Sequence, residues 1–314
     1  MPKLLLLGGS GFLGRHVQNW AKGKWETTAP SSQELDLLDP FAVKGYFLEH
    51  SFDAVIHAAG FVGGIGLNLA HPGRMVSDNL RMGLNLLEAL KSSKGIHVVI
   101  VSTVCAYPVD APIPTPETSL LDGIPAKDTL PYGLAKRTLY VAAEALSREF
   151  GMRFTYVVPT NLYGPGDHFE ESKSNVVPAL IKRAHGAKVA GDKELVVWGD
   201  GTQTRDLLYV EDAAQALLKI AQGSPTSGVF NLSSDRETSV RQLAEAVCFA
   251  VGFEGGLVFD KSKPGGAPRR ALDGSKVREV FGVEPTTDLR KGIASTYQWF
   301  LANRGPAMAG TVNE

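Results

Sequence analysis

A short apolar run, Lys3-Leu-Leu-Leu-Leu7, stops abruptly on Gly8-Gly-Ser-Gly-Phe-Leu-Gly14, and a helical pattern follows through about Trp20. Consecutive leucines without polar alternation suit a strand buried on both faces, as in a parallel sheet covered by helices. Gly8, Gly11 and Gly14 form G-x-x-G-x-x-G between that strand and that helix. Glycines there allow a tight turn and close backbone approach, and the helix N-terminus presents unpaired N–H groups and positive dipole to a pyrophosphate. A glycine triplet alone is weak. Lodged between a buried strand and a helix, it has the context a dinucleotide site requires, with Ser10, Phe12 and Leu13 as its interleaved lining.

The rest of the first half repeats the strand–helix alternation. A second strand falls near Glu26 to Ala29, followed by Ala29-Pro-Ser-Ser32. An acidic residue at this point binds a ribose 2′-OH, and an arginine accommodates a 2′-phosphate; the segment has neither. The hydroxyls of Ser31 and Ser32 suit a 2′-phosphate, so NADPH is favoured, with NADH or NAD left open. Asp36 and Leu37 are expected to flank the adenine, and Asp39-Pro40 to cap and open the next helix. Asp53 to Gly60 is the third strand, ending in Ala58, Ala59 and Gly60, whose small side chains leave room for a cofactor ribose. Phe61 to Pro72 reads as a Gly-rich loop and Met75 to Lys91 as a long helix. His97 to Ser102 is the fourth strand, with Ser102-Thr-Val-Cys-Ala-Tyr-Pro108 at its carboxyl end. A helix from Tyr132 to about Phe150 and a strand from Arg153 to Val158 complete the alternation. The fold class is α/β: a Rossmann doubly wound parallel sheet over residues 1–160, with a smaller α/β substrate domain over 161–304. Residues of about 206–232 are expected to return to the first unit, 261–270 to form a basic loop, and 305–314 to be a disordered tail.

Composition narrows the class of partner. The 314 residues carry a formal net charge of -1, which gives no electrostatic case for nucleic acid or an anionic membrane. Leu4 to Leu7 is too short to span a bilayer. Two cysteines, Cys105 and Cys248, make no disulfide framework, and the expected compartment is the cytoplasm. No Cys/His cluster suggests a metal.

The chemistry converges on one segment. Leu130-Pro-Tyr-Gly-Leu-Ala-Lys136 sets Tyr132 and Lys136 four residues apart, on one helix face. An ammonium beside a phenol favours phenolate and is expected to lower its pKa toward the working range. Thr103 adds a hydroxyl at the end of the fourth strand. Together these supply what carbonyl reduction by hydride needs: a donor to polarise the carbonyl, an acid for the alkoxide and a cation to tune it.

This set resembles the extended short-chain dehydrogenase/reductase family. Ala58-Ala-Gly-Phe-Val-Gly-Gly-Ile65, Cys105-Ala-Tyr-Pro108, Asn161-Leu-Tyr-Gly-Pro165, Val197-Trp-Gly-Asp-Gly-Thr202 and Lys263-Pro-Gly-Gly-Ala-Pro-Arg269 are similar to its GDP-L-fucose synthase branch. That branch reduces C4 of a GDP-linked 4-keto-6-deoxyhexose with NADPH after epimerising C3 and C5. The resemblance implies a catalytic set of Thr103, Tyr132 and Lys136, with Cys105 as the epimerisation base. It implies Ser102, Pro159, Asn161 and Leu162 at the cofactor. It implies Val62, Thr103, Asn161, Asn175, Val176, Arg183, Trp198, Arg205, Lys263 and Arg269 at a GDP-sugar. A homodimer built on helices 75–91 and 131–150 is implied in the same way.

One position departs from the branch. Epimerising members carry a histidine before Val-Ile-Pro; here Asn175 precedes Val176-Val-Pro178. An amide does not serve as a proton-transfer acid near pH 7. The expectation is a 4-keto reductase with reduced or absent 3,5-epimerase activity, His168 being the candidate substitute acid. Two alternatives stay open: a nucleotide-sugar C4 epimerase with tightly bound NAD, and a non-catalytic dinucleotide-binding module.

Overall fold

The computed structural model describes residues 1–93, 95–170, 174–263 and 267–308, with side chains through 303. The first half runs β1 (Lys3–Leu7), α1 (Phe12–Ala21), β2 (Glu26–Thr28), α2 (Pro40–Glu49), β3 (Ala54–His57), α3 (Ile65–Ala70), α4 (Pro72–Leu90), β4 (His97–Val101), α5 (Leu130–Phe150) and β5 (Arg153–Pro159). It continues with β6 (Asn161–Tyr163), α6 (Val176–Ala190), β7 (Glu194–Trp198), β8 (Thr204–Tyr209), α7 (Val210–Gln222) and β9 (Val229–Leu232). The chain closes with β10 (Glu237–Ser239), α8 (Val240–Val251), β11 (Gly256–Asp260), β12 (Arg269–Arg270), α9 (Ser275–Phe281) and α10 (Leu289–Met308).

Six parallel strands order as β2-β1-β3-β4-β5-β9. The leucine run explains how helices cover both faces. Leu4 and Leu6 enter one core with Val17 of α1 and Leu217 of α7. Leu5 and Leu7 enter the other, with Leu86 and Leu87 of α4 and Leu139 of α5. All four leucines are buried, as a period-2 strand sandwiched between two helical layers demands. The chain steps one way from β1 to β2 and the other way to β3, so the strand order reverses at β1/β3. In such sheets the crevice beyond the strand carboxyl ends at that reversal receives the ligand.

The remaining strands build a smaller unit: β8 is flanked by antiparallel β10 and parallel β12, with β6 also paired to β8, and β7 pairs with β11. Its core gathers Leu180 and Ile181 of α6, Leu243 and Val247 of α8, and Phe300 of α10. β9 pairs with β5, and α7 packs beside α1, so residues after β8 rejoin the first sheet.

Three local expectations change. Residues 65–70 form a helix rather than loop, because buried Asn68 donates to the Gly63 and Gly64 carbonyls at 3.1 Å each and closes the turn. Arg269–Arg270 leave the basic loop to pair with Thr204–Arg205. The last helix continues to Met308; residues 309–314 lie outside the described residues.

Candidate active site

The glycine turn is shaped by what it excludes. Gly8 has φ +89, and a Cβ there would lie 2.6 Å from the Ala59 backbone nitrogen. A Cβ on Gly14 would lie 2.0 Å from the Gly8 carbonyl oxygen. No side chain caps α1 at Gly11, so the helix's first N–H groups face outward from the turn. A cradle that side chains would fill, at the sheet's reversal, beside a helix N-terminus, fits a dinucleotide pyrophosphate. Asn85 Nδ2 donates to the Leu37 carbonyl at 2.9 Å and fixes the Asp36-Leu37 turn, where Asp36 Oδ1 accepts from Leu38 N at 2.9 Å. Asp39 caps α2 through Phe41 and Ala42, with Pro40 in its first turn.

At the ends of β3 and β4 the catalytic candidates meet. A Cβ on Gly60 would lie 3.8 Å from Lys136 Nζ and 3.3 Å from Val62 Cγ1, so the third strand's small-residue exit abuts the lysine. Lys136 is buried, donates to the Val101 carbonyl at 3.1 Å, and has its pKa lowered to about 8 by burial. Its Nζ lies 5.9 Å from the Tyr132 ring centroid. Thr103 Oγ1 accepts from Cys105 N at 3.2 Å, which leaves the hydroxyl proton for an outside acceptor. Gly133 lets α5 pack on the 3-10 turn Val104–Ala106 that follows β4: a Cβ there would come within 2.3 Å of the Cys105 carbonyl oxygen.

The expected lowering of the Tyr132 pKa is corrected. Its phenol is pushed above its usual range, first by burial and then by the Cys105 thiol and the Tyr156 phenol. Desolvation by burial is the largest cause, and Lys136 is not among the groups that shift the phenol. A neutral phenol is the form that donates a proton.

Ser102 is buried, and its hydroxyl donates to Tyr156 Oη at 2.6 Å, while that phenol donates to the Lys136 carbonyl at 2.6 Å. β4, β5 and α5 are thereby tied together under the site. Pro159 ends β5; Asn161 Nδ2 reaches the Asp206 carbonyl at 3.4 Å, and Leu162 packs against the core shared by α1 and α7.

The other candidates lie along the smaller unit. Asn175 is exposed at the start of α6 with no capping bond, followed by half-buried Val176. Arg183 donates to the Val196 carbonyl, and Trp198, 53 % exposed, ends β7 opposite Asp260. Arg205 Nη1 donates to the Thr204 and Ala267 carbonyls at 2.7 and 2.8 Å. Lys263 is exposed beside Asp260, and residues 264–266 of its motif lie outside the described residues. Arg269 Nε bonds Glu237 Oε1 and Oε2 at 3.1 and 2.8 Å, and Nη1 donates to the Ile113 carbonyl at 3.1 Å.

Residues 4–233 match the NAD dependent epimerase/dehydratase family. The chain belongs to that family. It is 33% identical to the GDP-L-fucose synthase of Escherichia coli K12, covering 96% of this chain and 97% of that one. It is 34% identical to the GDP-L-colitose synthase of Yersinia pseudotuberculosis, covering 95% and 98%. A GDP-L-fucose synthetase from Naegleria fowleri bound to NADP superposes with a TM-score of 0.88 at 30% identity, covering 97% and 94%.

Two side chains in this epimerase/dehydratase-family site escape the sequence reading. Tyr156 lies within the strand expected over Arg153 to Val158, and only the fold brings its phenol to the Lys136 carbonyl. Arg270 followed Arg269 in what read as a loop. Strand pairing sets Arg270 opposite Arg205 and Arg269 opposite Thr204, and neighbours along a strand point to opposite faces. Arg205 and Arg270 thus share a face, and the Arg205 pKa is lowered by burial and by Arg270. Period-2 alternation was the available signal, once a strand at 269–270 was known. Among the described residues no Cys/His/Asp/Glu group is arranged to hold a metal, and no helix is long and apolar enough to cross a membrane.

Proposed function

We propose that the chain is an NAD(P)H-dependent reductase of a GDP-linked 4-keto-6-deoxy sugar. What supports this reading is Lys136 set against the Gly60 exit of β3, with the Tyr132 ring beside its Nζ, while Ala59 of the same exit lies against Gly8 of the glycine turn. Residues Gly8 to Gly14, Asp36, Leu37, Ala58 to Gly60 and Asn161 would hold the dinucleotide, which supplies the hydride when bound. Thr103 donates its hydroxyl proton to the substrate carbonyl and polarises it. Tyr132, neutral, gives its phenolic proton to the oxygen as charge develops there. Lys136, held by Val101, stabilises the phenolate left behind. Arg205 and Arg270, side by side with like charge, suit the diphosphate, and Trp198 offers an exposed indole face to sugar or base.

Epimerisation at C3 and C5 is predicted to be weak. The Asn175 amide is no proton-transfer acid near pH 7, and exposed His168 sets its Nδ1 3.8 Å from Glu170 Oε2. Turnover of a GDP-4-keto-6-deoxymannose test substrate in deuterated water separates the two chemistries. The reading expects a C4 alcohol with little deuterium at C3 and C5; heavy labelling at both contradicts the loss. Turnover without added reductant favours a C4 epimerase instead.

The functional unit of this reading is a homodimer in the reducing cytoplasm. α4 and α5 pack together and leave Leu84, Leu134 and Val141 exposed, and Cys105 and Cys248 are free thiols.

A further inference from the structure

The turn that begins at Thr103 is held from two sides. Ala106 N donates to the Thr103 carbonyl at 3.0 Å and Tyr107 N to the Val104 carbonyl at 3.2 Å, which closes it. On the α5 side Arg137, the neighbour of Lys136, donates from Nε to the Ala106 carbonyl at 3.1 Å. On the far side the Tyr107 Oη donates to Asn231 Oδ1 at 2.7 Å. Burial first, and then the Glu117 carboxylate, push that phenol above its usual range, so it stays a donor. Asn231 lies on β9 and is fully buried. Its Nδ2 donates to the Thr115 carbonyl at 2.9 Å and to the Asp273 carbonyl at 3.1 Å, so the whole side-chain amide is engaged. Thr115 N donates in turn to the Ala271 carbonyl at 2.9 Å, and Asp273 N to the Thr115 carbonyl at 3.0 Å. Residues 271–273 follow directly on Arg269–Arg270 of β12, whose pairing sets Arg270 opposite Arg205. Through one amide, the Tyr107 phenol reaches the segment that carries the diphosphate arginine.

We propose that Asn231 and Tyr107 are positioning residues: they fix the register between the Thr103 turn and the Arg270 strand, so that a ketone seated by its diphosphate meets the Thr103 hydroxyl. Both are buried and act through the segments they hold. The proposal rests on the reductase reading, in which Arg205 and Arg270 take the diphosphate and Thr103 polarises the carbonyl. Those groups belong to different sheets, since Thr103 follows β4 of the six-stranded sheet and Arg270 lies in β12 of the smaller one. A small slip between the two changes the reacting distance and leaves each site's own contacts in place. An amide suits this junction because one planar group accepts from Tyr107 and donates to two carbonyls.

Tyr107→Phe deletes one oxygen and keeps the ring; Asn231→Asp keeps the acceptor for Tyr107 and removes both N–H donors. The test is steady-state reduction of a GDP-4-keto-6-deoxymannose test substrate by NADPH, with kcat expressed per cofactor-binding site so that only folded enzyme counts. Each variant is expected to lose about 10- to 100-fold in kcat, with KM for the nucleotide sugar within about threefold and the cofactor dissociation constant within about twofold. Both substitutions cut one link, so the double variant should be no slower than the slower single one. If Asn231→Asp does not fold, the split between kcat and KM in Tyr107→Phe decides alone. Three results overturn the proposal: kcat of Tyr107→Phe within about threefold of wild type, a loss that falls on KM instead, or losses that multiply in the double variant. Absence of ketone reduction by the wild-type protein would instead remove the reductase reading, and this proposal with it.

Discussion

The backbone of Gly133 rests against the Cys105 carbonyl, with 2.3 Å between that oxygen and the place a Cβ would occupy. This contact seats the first turn of α5 on the turn that follows β4. It sets the spacing between the hydroxyl of Thr103 and the phenol of Tyr132. Gly133→Ala must push the two apart, since Pro125 Cβ blocks escape at 3.1 Å. Turnover is expected to fall about 10- to 100-fold with cofactor affinity within about twofold, because sub-ångström misplacement acts on the reacting geometry. Stopped-flow reduction together with cofactor titration checks it; unchanged turnover would remove the contact from the catalytic geometry.

Buried titratable groups predict an unusual stability profile. His57 and His97 have pKa values lowered to about 3 and about 4, in each case first by burial. The unfolded chain protonates them first, so their contribution is full above about pH 6.5 and is lost as pH falls toward 4 and 3. Asp167 runs the other way. Burial raises it to about 7, and among its oxygens only Oδ1 has a partner, the His168 N–H at 2.7 Å. Its contribution is full below about pH 4 and is lost as pH rises through 7. Asp167→Asn should therefore raise the thermal midpoint by several degrees at pH 8, with a difference that shrinks toward zero at pH 5. Calorimetry at the two pH values reads this directly; an equal shift at both contradicts it.

The two adjacent arginines of β12 should separate by function. Arg270→Ala is expected to raise KM for the nucleotide sugar about 10- to 100-fold with kcat within about threefold, as loss of a charged diphosphate contact does. Arg269→Ala removes the bond to Glu237 and the tie to Ile113, and should lower the thermal midpoint with a smaller effect on KM. Steady-state kinetics on both variants would contradict the assignment if their order were reversed.

Much of this was legible in the sequence because backbone geometry writes itself into residue type. The leucine run, the glycine spacing and the small residues at 58–60 report burial and close approach directly. Tyr132 and Lys136 were readable because helical spacing is local. What escaped depends on long-range placement. Tyr156 matters through a bond to the Lys136 carbonyl 20 residues away, and no local pattern carries that. The Arg269/Arg270 distinction needed the register with β8. The Tyr132 pKa runs opposite to the sequence expectation because sequence shows the neighbouring lysine and hides the burial, which is the largest cause of the shift.

Tyr132→Phe tests the central claim most directly, with ketone reduction followed in single turnover under saturating cofactor. The account predicts cofactor dissociation constants within about twofold of wild type and reduction slowed about 10²- to 10⁴-fold, the range for losing a positioned acid. Reduction at the wild-type rate, with cofactor bound, would contradict the role given to the phenol.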